Sequence, residues 1–302
     1  MLCTHGAAGE SPSAGGATSR WVSPHVRRDV ATGMLIGVTP GATPMRIPYG
    51  THPSQFGELT LPAGPVRGVA VVVHGGFWRQ RRDLELGRPL AADLAERGWA
   101  AWNVEYRRVG GDGGWPTTFE DVAAAVDLLA GPVQEVAGGR LPLDRVVAVG
   151  HSAGGQLAAW LAARPGLLAG TPGAGPVVRL CGAVSQAGVL DLVDAARHGV
   201  GDGAVTDLLG GFPEDVPDRY SLASPVARLP IGVPVVCVHG TADENVPPRQ
   251  SDRFVAASRG EAELVSLPDV DHFKVIDPAD EAWWVCRDAA ERLLARAQER
   301  GE

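Results

Sequence analysis

From Val66 onward, short runs rich in β-branched residues alternate with longer segments in which alanine and leucine recur at helical spacing. This alternation is typical of a parallel β-sheet covered by helices, because each parallel connection needs a crossover that is usually a helix. The runs interpreted as strands are 69–73, 100–106, 146–149, 180–185, 235–238 and 262–266. The sequence therefore predicts an α/β fold with a mostly parallel sheet of at least six strands.

The segments between these runs predict the helices that flank the sheet. In one of them, Thr118 has the residue type of an N-cap, with Asp121 three residues later. Another begins shortly after residue 154, and the last closes the chain. The predicted helices are 87–97, 117–129, 156–163 and 281–297.

Two parts of the chain depart from this alternation. Residues 1–45 contain few large apolar residues and are rich in Gly, Ser, Thr and Pro, so we predict a flexible leader before a folded domain over residues 46–302. Residues 188–231 are interrupted by Asp, Gly and Pro. Because loops of this length inside a compact domain are usually functional, we predict a small cap insertion over the strand ends.

The run Gly150-His151-Ser152-Ala153-Gly154 directly follows a predicted strand and precedes a predicted helix. Gly-x-Ser-x-Gly in this context is typical of a nucleophile elbow, a tight turn that exposes the serine hydroxyl. The pattern alone is weak in a chain with 40 glycines, so its position after a strand decides the interpretation. Ser152 is therefore the predicted nucleophile.

A reacting serine also needs hydrogen-bond donors for the oxyanion that develops on the substrate carbonyl. The run His74-Gly75-Gly76-Phe77-Trp78 follows an early strand and is suited to this task. We predict the amides of Gly75, Gly76 and Ala153 as the oxyanion hole, and we expect His74 to orient the loop. The rings of Phe77 and Trp78 are predicted to contact the substrate and to leave room for short acyl groups only.

The serine proton needs an imidazole, and the imidazole needs a carboxylate behind it. In the expected chain order of serine, acid and histidine, Asp243 lies in a turn after one strand and His272 follows the next. Asp271 is the weaker acid candidate, because neighbouring side chains on an extended segment point apart. The other histidines are interpreted as surface or packing residues: His5, His25, His52, His151, His198 and His239.

Composition excludes several other classes of function. The net charge of −8 argues against a nucleic-acid partner, and no apolar run approaches the ~18 residues of a membrane span. The four cysteines lack C-x-x-C spacing, which disfavours zinc and a disulfide framework, and no secretion signal is recognisable, so we predict a cytoplasmic protein. No G-x-G-x-x-G motif follows the first strand. We expect neither a cofactor nor a metal.

These motifs resemble those of the α/β-hydrolase superfamily over residues 46–296, specifically the esterase branch that includes kynurenine formamidase-like enzymes. His74-Gly75-Gly76-Phe77-Trp78 matches the HGGxW motif of that group, and Asn103-Val104-Glu105-Tyr106-Arg107 is similar to a strand end in these proteins. Phe77 departs from the HGGG pattern of the hormone-sensitive lipase-like enzymes. The resemblance implies an α/β-hydrolase fold and hydrolysis of an ester or amide through an acyl-enzyme.

The leading prediction is a serine hydrolase that cleaves small carboxylic esters. An arylformamidase that cleaves an N-formyl amide uses the same chemistry and is the first alternative. An acylaminopeptidase-like peptidase is a further alternative, and a non-catalytic relative that binds a small ligand is the alternative from a different class. In each case the partner is a small ester, amide or ligand rather than a macromolecule.

Overall fold

The computed structural model describes residues 43–301, so the predicted leader lies outside the described residues except for its last three positions. Within this range eight strands form one sheet in the order β1-β2-β4-β3-β5-β6-β7-β8. The strands are β1 (Met45–Pro48), β2 (Phe56–Thr60), β3 (Gly68–Val73), β4 (Trp99–Val104), β5 (Val146–His151), β6 (Gly182–Gln186), β7 (Val235–Gly240) and β8 (Ala262–Leu267).

The pairing of the strands is parallel from β4 to β8 and antiparallel at the β1 edge. The central strands are buried along their whole length, which explains why they appear in the sequence as continuous apolar runs. The six predicted strands correspond to β3 through β8. The prediction missed β1 and β2, because MRIP and FGELT carry no continuous apolar run.

Helices cover both faces of the sheet. On one face, α2 and α4 pack against β3, β4 and β5 through a cluster that contains Val71, Trp102 and Leu157. On the other face, α1 and α9 enclose a second cluster that contains Val72 and Trp283. The helices in residues 43–301 are α1 (Arg88–Glu96), α2 (Thr117–Asp127), α3 (Pro132–Val136), α4 (Ala153–Ala163), α5 (Leu192–Arg197), α6 (Ala204–Leu209), α7 (Pro217–Ala223), α8 (Arg249–Ala257) and α9 (Glu281–Gly301).

The start of α2 differs from the prediction. Its N-cap is Pro116, and Thr118 lies inside the first turn. The Thr118 hydroxyl accepts from the Gly114 amide at 3.0 Å and donates to the Arg107 carbonyl at 2.7 Å. The side chain was predicted to cap the helix, but it forms its hydrogen bonds with the loop that directly precedes α2 instead.

The segment between β6 and β7 contains the three short helices α5, α6 and α7 and includes the predicted insertion. Among residues 43–301, none of the helices combines the length and the apolar character needed to cross a bilayer. The predicted fold, a mostly parallel sheet with flanking helices, is confirmed. Its strands β3, β5, β7 and β8 end near one edge, where the candidate functional residues lie.

Candidate active site

Ser152 occupies a one-residue turn between β5 and α4. Its backbone has a φ of 56° and a ψ of −118°, a conformation that is strained for any residue other than glycine. The Ser152 amide donates to the Gln186 carbonyl at 2.8 Å, which ties the turn to β6. A Cβ at Gly154 would overlap the Val73 carbonyl, so the last glycine of the motif lets helix α4 approach β3. The local structure is that of the predicted elbow.

The structure brings Asp243 and His272 into direct contact. His272 donates Nδ1–H to Asp243 Oδ2 at 2.6 Å, and the two residues are 3% and 7% exposed. Burial acts to raise the pKa of Asp243, but hydrogen bonds from His239, His272 and the Val246 amide outweigh it and hold that pKa well below its usual range. The acid is therefore an ionised acceptor, and the proton on Nδ1 leaves Nε2 of His272 as the basic nitrogen.

Asp243 has a second histidine partner that the sequence interpretation missed. His239, which is buried at the end of β7, places Nε2 at 3.3 Å from Asp243 Oδ2 and at 2.9 Å from the Val246 carbonyl. Its Nδ1 lies 2.8 Å from the Ser251 hydroxyl on α8. His239 and His272 therefore both contact Oδ2 of the acid. Its position four residues before Asp243, at the end of a strand, was the available signal.

His151 joins the elbow to the base. Its Nε2–H donates to the His272 carbonyl at 2.8 Å, and the two rings lie 4.5 Å apart. Burial, together with the nearby His272, lowers the pKa of His151 to about 3, so its ring is neutral at physiological pH. The residue beside the nucleophile, interpreted from sequence as a packing residue, therefore positions the loop that carries the predicted base.

The loop after β3 presents unpaired amides beside the elbow. Gly76, Phe77 and Trp78 have φ angles of 114°, 54° and 55°. Three consecutive residues therefore have a positive φ, which residues other than glycine rarely adopt. Within residues 43–301, the amides of Gly75, Gly76 and Ala153 donate to no protein acceptor, and neither does that of Phe77. A Cβ at Gly75 would lie 3.0 Å from Ser152 Cβ, so the loop touches the elbow. Phe77 is thus an amide donor that the sequence prediction did not include.

The two predicted substrate rings occupy different environments. Phe77 is partly exposed and packs against Gly201 of the segment between α5 and α6. Trp78 is 0% exposed, and its Nε1–H donates to Gln156 Oε1 at 3.1 Å. Phe77 is therefore the ring that is accessible to a substrate, whereas the buried Trp78 supports the loop through its contact with Gln156.

Asp271, the alternative acid, lies beside His272 but serves another purpose. Its Oδ1 accepts from the amides of Phe273 at 2.8 Å and Lys274 at 3.1 Å. These bonds hold the turn that follows His272. No hydrogen bond joins Asp271 to the His272 ring among the described residues.

A family model described as BD-FAE matches residues 61–257 of this sequence, which is more than half of the chain. The chain belongs to the BD-FAE family. Among curated relatives, the uncharacterised protein YfhR of Salmonella typhi is 25% identical over 232 residues, which are 74% of this chain and 71% of YfhR. Esterase LipQ of Mycobacterium tuberculosis is 28% identical over 221 residues, which are 68% of this chain but 49% of LipQ.

Solved structures of esterases share the fold of this BD-FAE family member. Esterase 2 of Thermogutta terrifontis superimposes with a TM-score of 0.66 at 23% identity, over 85% of this chain and 92% of that one. Esterase B of Lactobacillus rhamnosis gives a TM-score of 0.71 at 18% identity, over 84% and 85% of the two chains. The predicted α/β-hydrolase fold is therefore confirmed, and LipQ shows the predicted relationship to an esterase. The formamidase-like branch stays a prediction.

Proposed function

We propose that this BD-FAE family member hydrolyses small carboxylic esters through an acyl-enzyme formed on Ser152. The Ser152 hydroxyl attacks the ester carbonyl while Nε2 of His272 takes its proton, and Asp243 stabilises the imidazolium that results. The same proton then passes to the departing alcohol. Water, activated in turn by His272, attacks the acyl group and releases the acid and free Ser152.

One observation carries this proposal: a buried Asp243–His272 pair is joined through His151 to a serine on a strained turn, beside a loop with unpaired amides. The amides of Gly75, Gly76 and Ala153 are suited to stabilise the oxyanion, and that of Phe77 joins them. Its relative LipQ, an esterase, supports an ester as the substrate.

The segment over residues 188–231 supports the predicted preference for short acyl groups. Its Gly201 contacts the Phe77 ring, and Arg79 of the oxyanion loop donates to the Asp202 carbonyl at 2.7 Å and to Asp207 Oδ2 at 2.8 Å. These contacts fasten the segment beside the loop, as expected of a cap. We propose that the cap and Phe77 together close the acyl side of the site, so that formyl, acetyl and butyryl groups fit better than octanoyl.

The predicted cytoplasmic location stays part of the proposal. Cys237 and Cys286 are buried thiols outside any disulfide, and burial raises the pKa of each to about 12. Such thiols are inert core residues that need no oxidising compartment. A small ester is the proposed partner.

Covalent labelling tests the nucleophile. A fluorophosphonate probe should modify Ser152 in the wild-type protein, as located by mass spectrometry of the digested adduct. Ser152→Ala should lose labelling and ~10⁴–10⁶ of kcat, because only binding and oxyanion stabilisation remain. Ser221→Ala, which removes an exposed hydroxyl in α7, is the control and should behave as the wild type. Turnover by Ser152→Ala at the wild-type rate would overturn the proposal.

The substrate class is tested by a panel of p-nitrophenyl esters with N-formylkynurenine alongside. We expect the highest kcat/KM for acetate and butyrate. A kcat/KM for N-formylkynurenine above that of every ester would instead identify an arylformamidase. Values that climb steadily from acetate to palmitate would reject the short acyl pocket.

A further inference from the structure

The end of strand β4 lies directly behind the candidate oxyanion loop. The Tyr106 hydroxyl donates to the His74 carbonyl at 2.8 Å, and the Tyr106 ring stacks on the His74 imidazole with centroids 4.4 Å apart. Glu105 Oε1 lies 3.2 Å from Nε2 of His74. On its other edge, the same imidazole places Nδ1 at 2.8 Å from the Gly75 carbonyl. All three side chains are almost completely buried.

These contacts determine the direction of two amides. The peptides that join His74 to Gly75 and Gly75 to Gly76 are trans, and in a planar trans peptide the N–H points opposite to the C=O. The Tyr106 hydroxyl holds the carbonyl of the first peptide, so it sets the direction of the Gly75 amide. The His74 ring holds the carbonyl of the second peptide, so it sets the direction of the Gly76 amide.

The His74–Glu105 contact supplies the donors that this arrangement needs. Glu105 accepts from the amides of Leu84 at 3.0 Å and Tyr106 at 2.8 Å. The Gly75 carbonyl can only accept, so Nδ1 of His74 must donate to it. Nε2 faces a carboxylate that is already an acceptor. A proton between Nε2 and Glu105 Oε1 satisfies both atoms and keeps Nδ1 a donor, while the buried Arg108 guanidinium, 3.4 Å from the same Oε1, balances the charge of the carboxylate.

We propose that Glu105 and Tyr106 are positioning residues that aim the Gly75 and Gly76 amides at the oxyanion, Tyr106 through the His74 carbonyl and Glu105 through the His74 ring. The inference deepens the proposed ester hydrolysis and rests on it. It gives the Asn103-Val104-Glu105-Tyr106-Arg107 segment a task in the reaction without contact with the substrate. Burial raises the pKa of Tyr106 far above its usual value, so its hydroxyl stays a donor throughout the pH range of activity.

The Phe77 amide is oriented by a different hydrogen bond. It belongs to the peptide whose carbonyl, that of Gly76, accepts from the Arg79 amide at 3.1 Å within the loop itself. Loss of Glu105 or Tyr106 should therefore misdirect the Gly75 and Gly76 amides while the Phe77 amide keeps its place. The expected loss of rate is partial, below the ~10²–10³ that removal of an oxyanion donor causes.

Tyr106→Phe is the first test, because it removes one hydroxyl and keeps the ring stacked on His74. We expect kcat for p-nitrophenyl acetate to fall about 10-fold or more with KM little changed, since the amides act on the transition state. The inhibition constant of a trifluoromethyl ketone, which forms a tetrahedral oxyanion on the serine, should rise by the same factor. Ser258→Ala is the control, because it removes a hydroxyl that donates to the Val255 carbonyl at 2.7 Å at the end of α8, outside both the cap and the oxyanion loop.

His74 provides a second test through rescue. Asparagine can place an amide donor where Nδ1 stands, whereas leucine cannot. We expect His74→Asn to recover a large part of the kcat and of the trifluoromethyl ketone affinity that His74→Leu loses. Glu105→Gln should resemble Tyr106→Phe, and Glu58→Gln, which neutralises the carboxylate paired with Arg88, is its control.

The outcomes separate this inference from the proposed function. If Tyr106→Phe keeps kcat and inhibitor affinity, or if both fall only as far as in Ser258→Ala, the positioning role is wrong. If His74→Leu and His74→Asn lose the same kcat and inhibitor affinity at equal melting temperature, the proposal that the His74 ring directs the Gly76 amide is wrong. Failure of the ester hydrolase itself would appear elsewhere, as the absence of fluorophosphonate labelling at Ser152 in the wild-type protein.

Discussion

Two buried histidine–carboxylate pairs lie at strand ends of this protein. One follows strands β7 and β8 and the other follows β3 and β4, and they differ in whether the imidazole keeps a nitrogen without a partner. In the His272–Asp243 pair, Nδ1 donates to the carboxylate at 2.6 Å, and Nε2 has no hydrogen-bond partner among residues 43–301. In the His74–Glu105 pair, Nε2 lies 3.2 Å from the carboxylate and Nδ1 is occupied by the Gly75 carbonyl. The first ring has a nitrogen available for a proton, and the second has none.

Under the proposed roles, the same two residue types serve separate tasks. A base must exchange a proton with the serine, so one nitrogen has to stay open. A positioning residue must hold a fixed geometry, so both nitrogens are engaged. Each pair also has its own supports. His239 and two amides hold Asp243, whereas the Leu84 and Tyr106 amides and the Arg108 guanidinium hold Glu105.

Neutralising the two carboxylates should produce the largest difference in kcat between the two pairs. We expect Asp243→Asn to lower kcat by about 10⁴, because an amide stabilises the wrong tautomer of His272 and cannot support an imidazolium. Glu105→Gln should cost far less, about 10-fold. Asp271→Asn is the matched control next to the base and should stay near the wild type in steady-state kinetics with p-nitrophenyl acetate.

Two results would contradict this ordering. Equal losses for Asp243→Asn and Asp271→Asn would mean that the acid was assigned to the wrong residue. A loss for Glu105→Gln as large as that for Asp243→Asn would mean that both pairs act in proton transfer.

Phe77→Ala tests the oxyanion loop separately, because it changes a side chain of that loop and leaves the His272–Asp243 pair unchanged. Removing the ring that packs on Gly201 should open the acyl side of the site. Each methylene newly accommodated is worth ~0.8 kcal/mol, or about 4-fold, so the ratio of kcat/KM for octanoate to acetate should rise several-fold. An unchanged ratio would show that the acyl group binds elsewhere. Phe273→Ala, which removes the exposed ring beside His272, is the control.

His151 lies between the two pairs, and its substitution should change stability rather than the rate of the reaction. Its pKa in the folded protein is about 3, below the ~6.5 of an unfolded chain, so the unfolded state binds the extra proton between these values. Stability contributed by the neutral ring is therefore present above about pH 6.5 and declines as pH falls towards 3. Between pH 7 and pH 5 the loss should be about 2 kcal/mol.

The measurement is urea unfolding of the wild type and of His151→Gln at several pH values. Glutamine can still donate to the His272 carbonyl but does not titrate, so its free energy of unfolding should fall less from pH 7 to pH 5. Parallel curves for the two proteins would show that folding does not lower the pKa of His151.

Much of the fold and of the candidate site could be predicted from local sequence. Strands β3 to β7 appear as apolar runs because their two faces are covered, and the elbow motif is recognisable because it stands between a strand and a helix. Asp243 and His272 were predicted from the chain order together with their positions in turns after two predicted strands. Edge strands β1 and β2 were missed, since four or five residues of mixed polarity carry no such pattern.

The contacts among the histidines were decided only by the tertiary structure. His151 meets the His272 carbonyl across 121 positions of sequence, and His74 meets Glu105 across 31. The same holds for Trp78, whose indole is turned inward to Gln156 rather than towards a substrate. The sequence by itself indicates where strands end, because strand limits follow the local pattern of polar and apolar residues, and it therefore indicates which residue types lie at those ends. Which ring nitrogen is left open depends on carbonyls and carboxylates that the packed sheet brings together from distant segments.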